Sequence, residues 1–146
     1  MRQFVCPHCD AVNRAPEGRD AAAAKCGRCG QRLFDGKPVE VTGAQFEAHR
    51  ASTRGAALLR DVWAPWCGPC RAMAPQYAAA AQRLEPAVRL LKLNSDAEPQ
   101  TAATLGVSGI PALFLLVDGR VVARHAGLMS AGQIETWTRQ ALAGAA

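Results

Sequence analysis

The chain has 146 residues, of which 49% are hydrophobic, and a formal charge of +5. That length suits one domain with a proper core plus a small appendage, and the apolar content excludes long disorder. The 17 basic residues are scattered, without a run of five or six like charges, so the charge pattern marks no nucleic-acid surface. The longest strongly apolar run, ALFLLV at 112–117, is far too short to span a bilayer.

Residues 1–36 hold four of the six cysteines, many turn formers and little apolar content. Such a piece cannot build its own core and needs a staple. The opening MRQFVCPHCD has neither an apolar stretch of secretory length nor a small-residue cleavage site, so the expected location is the cytoplasm. There, paired cysteines are more often metal ligands or redox centres than structural disulfides. Cys6, Cys9, Cys26 and Cys29 follow the pattern C-x2-C-x16-C-x2-C, which is the spacing of a four-thiolate zinc site. Four sulfurs at about 2.3 Å in a tetrahedron satisfy the ion. Pro7, Gly27 and Gly30 favour the tight turns that bring each pair to one point. One zinc is expected, structural because no coordination position stays open. It would bring the net charge to about +3. The competing reading is two further reversible disulfides, or metal-free thiols. His8, between the first two cysteines, reads as uninvolved.

Residues 37–42, KPVEVT, run into a short strand. Thr42-Gly-Ala-Gln45 matches a capping box and predicts a helix over 43–51. AALLRDVW at 56–63 reads as a buried strand. The alanine-rich segment 68–84 reads as a helix kinked at Pro75. VRLLKLN at 88–94 is another buried strand, followed by a short helix near 97–105. Strands at 112–117 and 120–126 flank Asp118-Gly119, a strong hairpin signal. Ser130-Ala-Gly-Gln133 is a second capping box, opening a helix to about Leu142 on which Trp137 packs into the core. The order β-α-β-α-β-α-β-β-α predicts an α/β fold with a mixed central sheet and helices on both faces.

The third pair, Cys67 and Cys70 in WAPWCGPC, has no partner pair to complete a tetrahedron. It follows a predicted strand and opens a predicted helix. Unpaired N–H groups and the helix dipole there favour an anion. A thiolate at Cys67 gains from both, while Cys70, one turn in, is the more enclosed. One exposed attacker and one sheltered resolver are what a dithiol reductant needs.

WCGPC at 66–70 resembles the active-site sequence of the thioredoxin family, and the resemblance runs over about residues 38–143. The resemblance implies a thioredoxin fold and a protein-disulfide reductase. Cys67 is then the nucleophile and Cys70 the resolving thiol. Asp61 is the buried aspartate that assists proton transfer, with a carboxyl raised by burial, and Lys92 is its neighbour. Trp63 and Trp66 match the two tryptophans near the disulfide, Trp63 as core and Trp66 as exposed contact surface. Pro75 matches the kinking proline. GIP at 109–111 matches the segment with a cis proline, in which Ile110 and Pro111 face the disulfide and receive an extended substrate. Gly68, Pro69 and Gly127 complete the substrate groove, and Gly119 matches a hairpin glycine. The two preceding cysteine pairs resemble the bacterial subtype with an N-terminal zinc ribbon. Residues 1–36 are then expected as a zinc-ribbon domain and 37–146 as the thioredoxin domain. No organic cofactor is expected on the chain. Its expected partners are disulfide-bearing proteins and an NADPH-dependent thioredoxin reductase as electron donor. Neither nucleic acid nor membrane is expected to bind, and the chain is expected to be monomeric. Two other readings use the same residues: a scaffold or chaperone docked through the ribbon, and a zinc site that senses oxidants. A scaffold needs neither Asp61 nor Pro111 nor an intact WCGPC. His49 and His125 carry no partner pattern.

Overall fold

The computed structural model describes residues 1–145. At the N-terminus β1 (Arg2–Val5) and β2 (Val12–Ala15) pair antiparallel, with Val5 opposite Val12. The sequence alone does not predict this hairpin, because four-residue strands carry too little periodicity. A 3-10 turn at Ala21–Ala23 follows, with Asp20 accepting from the Ala22 N–H. Phe4, Leu33, Phe34, Cys6 and Cys26 form a small core of their own. The rings of Phe4 and Phe34 meet edge to face at 4.9 Å.

The remainder is a five-stranded sheet flanked by helices. Its strands are β3 (Val39–Glu40), β4 (Ala57–Trp63), β5 (Val88–Asn94), β6 (Ala112–Val117) and β7 (Arg120–Ala126), in the order β3-β5-β4-β6-β7. The helices are α1 (Gly43–Ser52), α2 (Gly68–Leu84), α3 (Pro99–Thr104) and α4 (Ala131–Ala145). β3, β4 and β5 are parallel because helices connect them, whereas β6 and β7 join antiparallel through the tight turn. Asp118 and Gly119 both have positive φ, 49° and 81°, as a two-residue turn of matching twist requires.

β4 is buried on both faces, which is why it reads as a near-continuous apolar run. Leu59, Leu90, Leu113 and Leu115 face Met73, Tyr77 and Ile134 of α2 and α4. Leu58, Val62, Leu91, Leu93 and Phe114 face Phe46 of α1. Each such side chain contributes about 1.5–3 kcal/mol on burial. Both capping boxes form: Thr42 Oγ1 accepts from Gln45 N–H, and Ser130 Oγ from Gln133 N–H. Trp137 is half-buried against the α2–α4 side.

The N-terminal unit is seated on the sheet unit by main chain and by charge. Gln3 and Arg54 exchange two backbone hydrogen bonds, at 2.8 and 3.0 Å. Gly55 allows this approach: it has φ +72°, and a Cβ there would come within 3.2 Å of Arg2 Cα. Arg89, fully buried on β5, stacks 4.0 Å from the Phe34 ring and donates to the Leu33 carbonyl. Glu85 completes the seat, 3.9 Å from Arg89 and accepting from the Gly36 N–H. Burial pushes the Glu85 carboxyl up to about 7.

Candidate active site

Cys67 and Cys70 are joined by a disulfide, with Cα atoms 5.2 Å apart. Cys67 is the N-cap of α2, and its Sγ accepts from the Cys70 N–H at 3.2 Å. The helix continues to Leu84 with Pro75 inside it. A thiolate formed at Cys67 on reduction would therefore sit where an N–H and the helix dipole stabilise an anion. The expected contrast in exposure is absent from this oxidised form, where Cys67 is 4% exposed and Cys70 3%. The asymmetry lies instead in surroundings. Cys67 has the helix N–H on one side and the Ile110 carbonyl oxygen 3.8 Å away on the other.

Asp61 lies on β4, opposite Lys92 of β5, and is buried. Its Oδ1 has no hydrogen-bond partner among the described residues. Burial raises its carboxyl to about 7, against the opposing pull of the Lys92 charge. A carboxyl poised near neutrality can both take and return a thiol proton. Lys92 Nζ also rests 4.6 Å from the Trp63 ring centre. Trp63 and Ile110 pack against the cluster of Ala64, Cys67 and Cys70.

Around the disulfide runs an apolar, open surface. Trp66 is 67% exposed and anchored by its Nε1–H on Asp96 Oδ1 at 3.2 Å. Gly68 and Pro69 are exposed beside it. The Ile110–Pro111 peptide is cis, and Gly127 N–H donates to the Pro111 carbonyl at 2.9 Å. This bond ties the Gly127 loop to the Pro111 segment. Leu128, 55% exposed next to Gly127, extends the surface. Sequence reasoning missed it because a lone leucine after a strand carries no pattern. His49 is on the buried face of α1, its imidazole pushed down to about 4 by burial, and takes no part in this surface.

The other four cysteines form a separate cluster. The Sγ atoms of Cys6, Cys9, Cys26 and Cys29 all lie within 4.8 Å of one another. Cys6–Cys29 and Cys9–Cys26 are both 3.6 Å apart, close to the edge of about 3.8 Å that a tetrahedron of 2.3 Å bonds requires. The two turns are near copies. Cys6 N–H donates to Ala11 O and Asp10 N–H to Cys6 O, while Cys26 N–H donates to Gln31 O and Gly30 N–H to Cys26 O. Asp10 and Gly30 take matching positive φ, 63° and 77°. His8 N–H and Arg28 N–H each point at the first sulfur of their pair, both at 3.4 Å, and Asn13 Nδ2 adds a third donor to Cys26. Such donors favour thiolate ligands. Burial pushes the Cys6 thiol up to about 12, whereas hydrogen bonds, led by the Cys29 backbone, bring Cys26 down to about 6. A divalent cation is what would hold all four as thiolates together. The donor set and spacing fit zinc, and the exposed His8 is not in the cluster.

Comparison with known proteins gives a consistent picture. The thioredoxin family model matches residues 37–140, and the model for the N-terminal zinc ribbon of thioredoxin 2 matches residues 5–31. Thioredoxin C-3 of Corynebacterium nephridii is 36% identical over 139 residues, 95% of this chain and 94% of that protein. A thioredoxin of Pseudomonas aeruginosa is 40% identical over 96 residues, 66% of this chain and 88% of its own length. Among solved structures, chloroplastic thioredoxin z superposes with a TM-score of 0.67 at 29% identity, covering 74% of this chain and 96% of that one. A mutant thioredoxin from Halobacterium salinarum gives 0.65 at 25%, covering 73% and 92%.

Proposed function

We propose a protein-disulfide reductase with a structural zinc, from the premise that the chain belongs to the thioredoxin family, in its zinc-ribbon subtype. The chain is a thiol–disulfide oxidoreductase, and the observation that carries the rest is the Cys67–Cys70 disulfide at the N-terminus of α2. It corresponds to the oxidised product of one turnover. In the reduced protein the Cys67 thiolate attacks one sulfur of a target disulfide, and the other target sulfur leaves as a thiolate. Asp61 takes the proton of Cys70, which attacks Cys67 Sγ. The second target thiolate leaves, and the protein has given up two electrons. Lys92 balances the Asp61 charge, and the helix N–H groups hold the Cys67 thiolate. Trp66, Gly68, Pro69, Ile110, Pro111 and Gly127 receive the polypeptide around the target disulfide.

The functional division falls at residue 36. Residues 1–36 form a zinc ribbon held by Cys6, Cys9, Cys26 and Cys29, and residues 37–146 form the catalytic unit. The zinc fixes the fold of a segment with too small a core to stand alone. Electrons come from an NADPH-dependent thioredoxin reductase, and substrates are disulfide-bearing proteins. The protein works as a cytoplasmic monomer. Among the described residues no helix is long and apolar enough to cross a membrane. Cys67→Ser should abolish reduction of insulin disulfides while leaving one zinc per chain by atomic emission. Activity surviving that change would overturn the reading, and so would loss of zinc with it.

A further inference from the structure

On the sheet face covered by α2, three charged side chains lie in one row. Glu40 on β3 is opposite Lys92 on β5, and Lys92 is opposite Asp61 on β4. In-register neighbours project to the same side of a sheet. Exposure falls steadily along the row, from exposed Glu40 through half-buried Lys92 to buried Asp61. Trp63, two residues beyond Asp61, lies on the same face. Its Nε1–H donates to the Glu40 carboxylate at 3.1 and 3.3 Å. Lys92 Nζ sits 4.6 Å from the centre of that indole. One lysine thus lies between two carboxylates in the row, and the indole beside the disulfide cluster is held by the outer of them.

We propose that Glu40 is a positioning residue for the proton step: its carboxylate shares Lys92 with Asp61 and anchors the Trp63 indole, and so sets how readily Asp61 takes and returns the Cys70 proton. This rests on the reading of Asp61 as the group that exchanges that proton. The physical reason is charge balance. Lys92 pulls the Asp61 carboxyl down against the dominant effect of burial, and a negative charge beside Lys92 offsets part of that pull. The Glu40 charge raises the Asp61 carboxyl directly, in the same direction as burial. Partial burial in turn raises Glu40, against Lys92 and the Trp63 hydrogen bond. The other ionisable groups facing Asp61 are the Tyr77 hydroxyl from α2 and His125 of β7, further along the row beyond Leu113. Glu40 itself faces Lys92, the indole N–H and the Asn94 backbone.

Glu40→Gln keeps an oxygen for the indole N–H and removes the charge, whereas Glu40→Ala removes both. The readouts are the titration of the Asp61 carboxyl carbon by NMR in the oxidised protein, and the rate at which reduced protein cleaves an aromatic disulfide as a function of pH. Glu40→Gln is expected to lower the Asp61 midpoint by about half a pH unit or more and to move the rate profile the same way. It should leave the Trp63 indole N–H resonance in place, and Glu40→Ala should shift that resonance as well. In an Asp61→Asn background, Glu40→Gln should no longer move the profile. A midpoint unchanged within about 0.2 units overturns the proposal, as does an equal profile shift without Asp61. If Asp61→Asn alone leaves the rate profile intact, the underlying reading of Asp61 fails. The NMR midpoint still decides whether Glu40 tunes it.

Discussion

Replacing Asp61 with Asn should stabilise the oxidised protein, and by more as the pH rises. Burial lifts this carboxyl from 3.8 to about 7 in the folded state. The folded protein therefore holds the proton more tightly than the unfolded chain does. The stability this gives is full below about pH 4, declines as pH rises, and is lost through about pH 7. Asn matches the protonated acid in size and charge and has no such decline. With about 1.36 kcal/mol per pH unit, the variant gains about 2 kcal/mol at pH 5 and about 4 kcal/mol at pH 8. Glu85, also raised to about 7 by burial, gives the same slope to both proteins and cancels in the difference. Guanidinium unfolding of zinc-loaded, oxidised protein, followed by tryptophan fluorescence from pH 5 to 9, measures this directly. Any effect of pH on the proposed zinc site is common to both proteins and cancels in the difference. A stability difference that is flat across the range, or that shrinks toward alkaline pH, refutes the argument.

Chelation of zinc should open residues 1–36 to trypsin at Arg14, Arg19 and Arg28 while disulfide reduction stays within about threefold, because the small core at Phe4, Leu33 and Phe34 cannot hold that segment alone. Continued protection of the metal-free protein would contradict this. Arg89→Met should cost about 3 kcal/mol in urea unfolding at pH 8, because it strands the buried Glu85 carboxylate with the Gly36 N–H but without its cation. Adding Glu85→Gln should recover a large part, and a single-variant loss below about 1 kcal/mol would show the pair is not holding the seat. Arg60 is fully buried, without a carboxylate partner among the described residues, stacked 4.1 Å from Phe46 and 4.6 Å from Phe114. Burial lowers its guanidinium to about 10, a penalty of about 3 kcal/mol. Two desolvated cation–π contacts offset this at about 2 kcal/mol each. Arg60→Met should thus change stability by less than about 1 kcal/mol, unlike an ordinary core substitution, and a loss above about 2 kcal/mol by thermal unfolding would overturn that balance.

Cysteine spacing, strand periodicity and the two capping boxes carry most of the architecture in local chemistry. Thr42-Gly-Ala-Gln45 and Ser130-Ala-Gly-Gln133 cap helices where they stand, and Asp118-Gly119 turns a hairpin, because each acts over two to four residues. The separation of four metal-spaced cysteines from a redox pair at a strand–helix junction is equally local. Sequence therefore locates Cys67, Cys70 and the four-sulfur cluster before any folding is considered. What it does not carry is which side chains meet across strands. Glu40 stands in a two-residue edge strand, and only the β3–β5–β4 register sets it against Lys92 and Trp63. Arg89 and Glu85 read as surface charges until the N-terminal unit covers them. Arg60 reads as a lapse in an apolar strand until Phe46 and Phe114 close around it. Turns and caps are decided by neighbours along the chain. Charge pairing and desolvation depend on neighbours in space, and only the folded packing supplies those.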